Sequence, residues 1–338
     1  MNPFEKVDIG QTGVQVTRLG LGGAPLSGMV LADGIYQASA FEQALAIVRR
    51  AVELGVAYFD TAPLYGSGCS EVRYGRVLSK IERADFAIST KVSRRLVPED
   101  PENLEPYSED GIPHYTCVFD FGKDGIKHTL EGSLERLQLD SVDIVYLHDS
   151  DFAGEHSDDV FAGGLEVLTE LRQQGVIKAI GMGMNQWEVT GRMVERFDLD
   201  LILLAGRYTL LDQSALPEFL PLCLERNVKL AIGGPYNSGI LARDLDQPVS
   251  FEYQPAPAHI VERARQLKAV CDRHAVELKA AALQFLFGHA AVATAVPGAA
   301  TIEELEDNVR VMQVEIPRDL WGDMKNEGLL PEEAPTPG

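Results

Sequence analysis

The spacing of apolar residues along the chain alternates between two periods. Phe41, Ala44, Ile47, Val48, Ala51 and Val52 recur three and four apart, which predicts a helix over 39–54. The run that follows, 56–59, is short, apolar and partly β-branched or aromatic, as expected of a strand buried on both faces. The same exchange then repeats. Strands are predicted at 86–90, 142–147, 176–182, 201–204, 229–232 and 293–296. Helices are predicted at 125–137, 161–173, 187–196, 215–226, 260–274, 278–287 and 301–312, with Pro217 and Pro221 disturbing the fourth of these. With RLGLGG at 18–23 as the first, there are eight strands, each followed by helix. Such alternation specifies a parallel sheet, and eight units close as an α/β (β/α)8 TIM barrel. Ahead of the barrel, VDIG, QTG and VQV over 7–16 predict an N-terminal β-hairpin whose glycines supply the tight turn.

Two stretches depart from this rhythm. Residues 93–124 are polar, interrupted by proline and sprinkled with Tyr107, Tyr115, Phe119 and Phe121, and they are too long for a plain connection. They form a long insertion after the third strand, either covering a site or lying as a solvated surface loop. Residues 331–338 are acidic and proline-rich and are expected to be a disordered tail, which leaves 1–330 as a single barrel domain.

No apolar run approaches the ~20 residues of a membrane span, so no membrane association is expected. Lys and Arg number 30 against 51 Asp and Glu, a net charge of −21 that would repel nucleic acid or an anionic bilayer. A homo-oligomer stays open. Cys69, Cys117, Cys223 and Cys271 show neither a C-x-x-C pair nor metal-ligand spacing, so no metal and no disulfide framework is expected. MNPFEKVDIG has no basic segment followed by an apolar one, and the expected compartment is the cytoplasm.

Candidate chemistry collects at strand ends. Asp60 stands where the second strand stops, Lys91 closes the third and His148 the fourth. Tyr65 lies on the Gly-, Pro- and Ser-rich turn 61–68, after which Ser70 with Glu71 reads as a helix cap. The carboxyl ends of the strands are the face on which barrel enzymes build their sites. A tyrosine, with an ordinary pKa near 10, needs a cation to act at neutral pH, and Lys91 is available for that. Asp60 would hold the ammonium, and His148 offers a ring N–H to the oxygen of the reacting carbon. A metal-dependent barrel hydrolase built on Asp60, His148 and His156 is a rival, although the neighbouring loops supply no convincing ligand set.

The Asp-x4-Tyr spacing of Asp60 and Tyr65 within FDTAPLYGSGCSE, together with STKV and DIVYLHD, resembles the aldo-keto reductases. The resemblance spans 7–313. It implies a barrel plugged by the hairpin, a catalytic tetrad of Asp60, Tyr65, Lys91 and His148, and a nicotinamide cofactor. By the same resemblance Gly23 belongs to the cofactor site, and Asn185 contacts the carboxamide, preceded by Met184 where the family has Ser. Ala205 stands where the family often has Gln, leaving backbone or Arg207 as substitute. GGPYNSGIL resembles the pyrophosphate-covering loop, with Gly233, Asn237, Ser238, Gly239 and Leu241 as candidates. In VPGAATIEELEDN, Gly298 and Glu304 occupy positions that NADPH-using members fill with Lys and Arg, and Asn308 keeps the adenine contact. A carboxylate there repels a 2′-phosphate, which favours NAD and makes NADP the less suited cofactor. LLAGRYTLLDQ, GGPYNSGIL and HDSD are similar to the branch containing the D-threo-aldose 1-dehydrogenases, or L-fucose dehydrogenases, and pyridoxal 4-dehydrogenase. The expected reaction is NAD-dependent oxidation of a cyclic hemiacetal to its lactone with Tyr65 as general base. The substrate would be an aldose such as L-fucose, D-arabinose or L-galactose, or alternatively pyridoxal. An NADPH-dependent carbonyl reductase and a cofactor-binding channel subunit are the remaining alternatives.

Overall fold

The computed structural model describes residues 1–28, 39–106, 109–148 and 158–338. Tyr107, His156, the acids after His148 and most of the loop before Ser39 lie outside the described residues.

β1 (Lys6–Asp8) and β2 (Gln15–Thr17) form the expected antiparallel hairpin, with Val7 opposite Val16. The barrel begins with β3 (Leu21–Gly22), β4 (Tyr58–Asp60) and β5 (Ala87–Val92). The insertion then carries its own antiparallel hairpin, β6 (Arg94–Pro98) and β7 (Tyr115–Phe119), an element the polar spacing did not announce. Barrel strands resume with β8 (Ile144–His148), β9 (Ala179–Met184), β10 (Leu201–Ala205) and β11 (Lys229–Gly233). A small hairpin of β12 (Ser250–Phe251) and β13 (Gln254–Pro255) precedes the last barrel strand, β14 (Val292–Val296). The eight barrel strands are parallel neighbours in chain order. Bridges from Leu19 to Ala295 and from Gly22 to Gly298 join the last to the first. The ring is therefore closed, as the eight alternating units require.

Around it stand α1 (Phe41–Leu54), α2 (Cys69–Leu78), α3 (Lys123–Leu137), α4 (Asp158–Gln173) and α5 (Trp187–Arg196). α6 (Phe219–Glu225), α7 (Ala258–Arg273), α8 (Leu278–Phe285), α9 (Ile302–Gln313) and α10 (Arg318–Asn326) complete the described helices. None is long and apolar enough to cross a membrane.

Two cores follow from strand parity. Inward-facing Tyr58, Ile144, Tyr146, Leu201, Leu203, Ala231 and Val296 pack with Ile9, Val14 and Val16 of the hairpin, which plugs the barrel floor. Outward-facing Phe59, Ile88, Val145, Leu147, Ile180 and Leu204 pack against the helices. Each such aliphatic or aromatic side chain removed from water contributes ~1.5–3 kcal/mol, so both faces of every strand are anchored.

Several local expectations are corrected. Ser70 and Glu71 do not cap α2: Gly68 holds the N-cap position in the left-handed region, with no side-chain bond. Ser70 instead donates to the carbonyl of Gly23 at 2.9 Å. Glu71, fully buried, accepts from Thr90 at 2.6 Å and Arg136 at 2.7 Å. α6 begins only at Phe219, past Pro217, whose ring shortens the predicted helix at its start. β9 begins at Ala179 rather than 176, since Val176 faces solvent. α10 adds a helix beyond the predicted ones, burying Leu320, Trp321 and Met324. The segment from Pro331, expected to lie free, is packed: Ala334 is buried in the outer core, and Lys325 Nζ donates to the Glu332 carbonyl at 2.7 Å.

Candidate active site

Parallel strands deliver Asp60, Lys91 and His148 to one rim of the barrel, because β4, β5 and β8 are adjacent and each candidate lies two residues past the partner of the one before: Asp60 pairs with Ser89 and Lys91 with Tyr146. Lys91 is 1% exposed, and Asp60 and His148 are also buried. An ammonium so enclosed needs acceptors. Its Nζ donates to Asp60 Oδ2 at 2.7 Å and to the Thr61 carbonyl at 2.9 Å. The ring centroid of Tyr65 lies 4.6 Å from the same nitrogen. Tyr65 reaches this position because the 61–68 turn folds tightly against Ser27. At Gly66, which has positive φ, a Cβ would lie 2.2 Å from the Ser27 carbonyl oxygen.

The rings of Tyr65 and His148 meet edge to face, 6.0 Å between centroids. Ser93, at φ 77°, turns its hydroxyl back onto the His148 backbone, accepting from its N–H at 3.3 Å. The imidazole of His148 is held well below its ordinary pKa, first by burial and then by the cations Lys91 and Arg94. It is therefore neutral near pH 7 and able to donate one ring N–H without carrying charge. All four tetrad candidates thus converge on one point. Arg94, unnoticed in the sequence, also reaches this rim, where its guanidinium lies 4.5 Å from the Phe119 ring centroid.

The cofactor candidates form a connected string around the rim. Arg207 Nε donates to the carbonyl of Asn185 at 3.1 Å, and its Nη1 faces Asp212 at 3.3 Å and Glu252. Asn237 Nδ2 donates to the Gly206 carbonyl at 3.3 Å. Tyr236 donates to Asn308 Oδ1 at 2.9 Å, linking the seventh-strand loop to α9. In that loop Gly234, Asn237, Ser238 and Gly239 all have positive φ, a curl of the kind that turns backbone amides toward an anion. Ser238 Oγ accepts from the Tyr253 N–H at 3.0 Å, and Leu241 is buried. Gly233 closes β11 beside Leu203 and Ala205.

Two glycines are explained by packing. At Gly23 a Cβ would meet Ser70 Oγ at 2.4 Å, and at Gly298 it would meet Pro25 Cγ at 2.4 Å. Glu304 has a structural bond as well, its Oε2 accepting from the Ala300 N–H at 2.8 Å. Among the described residues the buried Asn237 Oδ1 has no hydrogen-bond partner. A buried acceptor left open beside a left-handed curl, next to the tetrad rim, fits the amide and phosphate groups of a dinucleotide.

A model of the Aldo/keto reductase family matches residues 18–326. The chain is 38% identical to pyridoxal 4-dehydrogenase of Microbacterium luteolum, over 96% of this chain and 98% of that protein. It is 35% identical to D-threo-aldose 1-dehydrogenase of a Pseudomonas species, over 94% of this chain and 96% of the relative. Among solved structures, the holo form of an aldo-keto reductase from Bacillus halodurans superposes with a TM-score of 0.76 at 25% identity, covering 96% of both chains.

Proposed function

The chain belongs to the aldo/keto reductase family, and from that premise we propose that it is an NAD-dependent dehydrogenase oxidising a cyclic hemiacetal to its lactone. A nicotinamide bound along the Asn185–Asn237–Asn308 rim supplies the hydride acceptor. The chain's own residues handle the proton. Tyr65 takes the proton of the anomeric hydroxyl as the C–H bond of the same carbon gives up its electron pair, and the ring carbon becomes a lactone carbonyl. Lys91, beside the Tyr65 ring, lowers the cost of the phenolate. Asp60 and the Thr61 carbonyl keep the ammonium aimed there. Neutral His148 donates a ring N–H to the substrate oxygen and fixes the carbon that reacts.

The observation that carries this reading is the Asp60–Lys91 pair at 2.7 Å, with the Tyr65 ring against its cation. An isolated structural ion pair has no need of a tyrosine there. NAD is preferred over NADP on the ground that residues 297–304 present Glu303 and Glu304 and no cation. The substrate class is supported by the relatives named for pyridoxal and for threo-aldoses, both of which form cyclic hemiacetals.

The test is NADH formation at pH ~8–9, where proton release favours oxidation, with L-fucose, D-arabinose, L-galactose and pyridoxal, and identification of the product as a lactone. Tyr65→Phe is expected to lower kcat by ~10²–10⁴ while NAD binding, followed by fluorescence, hardly changes. A Phe variant of undiminished rate would end the proposal.

A further inference from the structure

Below the rim lies a second polar layer that the proton handling above does not use. In a strand, residues two apart share a face. Tyr58 therefore sits beneath Asp60, Ser89 beneath Lys91 and Tyr146 beneath His148, all three fully buried inside the barrel. The Tyr146 and Tyr58 hydroxyls are 3.0 Å apart, Tyr58 lies 3.0 Å from Ser89 Oγ, and Ser89 donates to Asp60 Oδ1 at 2.7 Å. That is the carboxylate oxygen which Lys91 does not occupy.

Proton counting fixes the direction of this chain. An ionised carboxylate only accepts, so Ser89 commits its single proton to Asp60, in preference to the Phe59 carbonyl at 3.4 Å. Tyr58 must then donate to Ser89, and Tyr146 to Tyr58. Burial raises both phenols well above their ordinary pKa, with the Asp60 charge adding to it, so they remain protonated donors. Three O–H dipoles point one way, each polarising the next, and end on Asp60. Packing alone does not call for them, since phenylalanine fills the same space among Ile144, Leu201 and Ala231 with no polar group to satisfy. The barrel makes room for the rings with small neighbours. A Cβ at Gly20 would stand 2.8 Å from Tyr58 Cδ1, while at Gly181, where the Leu201 carbonyl oxygen at 1.7 Å already excludes a Cβ, Tyr146 Cδ1 lies 3.3 Å from that position.

We propose that Tyr146, Tyr58 and Ser89 are positioning residues, a one-way donor chain that holds the Asp60 carboxylate and takes up part of its charge. The chain thereby sets how strongly Lys91 acts on Tyr65. The inference rests on Tyr65 as the general base. Without the donors, Asp60 directs its charge undivided onto Lys91, the cation's field at Tyr65 is more nearly cancelled, and the phenol is harder to deprotonate. Among the described residues, Asp60 is met by Lys91 from β5 and lies near Tyr58 of its own strand, Tyr146 of β8 and Tyr74 of α2, while Tyr65 on the loop is faced by Lys91 and by His148 of β8.

The experiment compares wild type, Ser89→Ala, Tyr58→Phe and Tyr65→Phe in NAD-dependent oxidation from about pH 6 to 10, with melting temperatures alongside. In Ser89→Ala the rising limb of kcat against pH is expected to move to higher pH by about half a unit or more, with KM nearly unchanged. Tyr58→Phe, which keeps the ring, moves it the same way by less, because Ser89 retains its bond to Asp60. If Ser89→Ala does not fold, Tyr58→Phe and Tyr146→Phe carry the test. A limb left in place, with kcat lowered equally at every pH, overturns the inference and leaves the layer as packing. A wild-type limb that persists in Tyr65→Phe would instead sink the general-base reading itself.

Discussion

His148 shows how burial, aided by neighbouring cations, can choose a protonation state. Its imidazole is pushed well below its ordinary value by desolvation, with Lys91 and Arg94 adding repulsion. In the unfolded chain the same ring takes up a proton near pH 6.5. The unfolded state therefore binds more protons below that pH, so the stability contributed by a neutral His148 is complete above about pH 6.5 and is lost as pH falls beneath it. His148→Asn should lose less stability than wild type between about pH 7.5 and 5.5, as read from urea midpoints. An equal loss in both would show that other groups govern the acid limb. That Asp60, Lys91 and His148 would share a rim was legible because each sits where an apolar strand stops, and the Asp-x4-Tyr spacing put Tyr65 on the turn that follows Asp60. Ser89, Tyr58 and Tyr146 were not singled out, although parity already placed each two residues below a tetrad member. What sequence alone lacked was register: Asp60 stands opposite Ser89 across the β4–β5 pair, and only that pairing turns three scattered hydroxyls into a chain.

At the scale of elements, a buried ion pair among the described residues ties the insertion after β5 to α2. Arg73 of α2 meets Asp110 through two bonds, at 2.7 and 2.9 Å, and its Nη1 also donates to the carbonyls of Leu26 and Ser39. Both side chains are nearly inaccessible, so removing one partner leaves a buried charge uncompensated. Asp110→Ala is expected to cost ~3–5 kcal/mol in urea unfolding, with faster proteolysis within 93–122, whereas an exposed pair would cost under about 1. The insertion's length was plain in the sequence, but its hairpin was not, because β6 and β7 are half-exposed and carry no clean alternation. The start of α9 was also readable and was read for only one purpose. Thr301 accepts from the Glu304 N–H at 3.2 Å while Glu304 reaches back to the Ala300 N–H, a capping arrangement spelled by T-x-x-E. Glu304→Gln keeps an acceptor and removes the charge, so the two roles separate. Stability should hardly move, while NADPH binding relative to NADH should improve roughly two- to fivefold, the scale of one exposed charge contact. Fluorescence titration with both coenzymes decides it, and an unchanged ratio would remove Glu304 from coenzyme choice.

The whole molecule follows from eight repeats of one pattern, which is why strand order and closure could be anticipated from spacing while the ends could not. Leu320, Trp321, Met324 and Ala334 bury against the outer core, yet they belong to no strand-helix unit, and around Ala334 the acidic, proline-rich composition suggested solvent. That acidity has its own consequence. Of 51 carboxylates against 30 Lys and Arg, a net 21 remain unbalanced when the protein folds. Two effects of salt oppose each other here. Screening weakens exposed pairs such as Arg310–Glu277 at 2.6 Å, each worth about 0–1 kcal/mol. It also relieves the mutual repulsion of the excess acids, which acts over the whole surface and is weakened as the Debye length shrinks from ~30 Å at 0.01 M to ~8 Å at 0.15 M salt. With 51 carboxylates against 30 cations, pairing leaves carboxylates in the majority among the remaining charges, and the repulsive part is the larger. Raising sodium chloride from about 0.01 to 0.15 M should therefore raise the melting temperature by a few degrees, about 1 kcal/mol at this chain length. A lower melting temperature in the same titration would mean that the surface pairs outweigh the surplus and that this fold depends on its ion pairs more than on relief of its net charge.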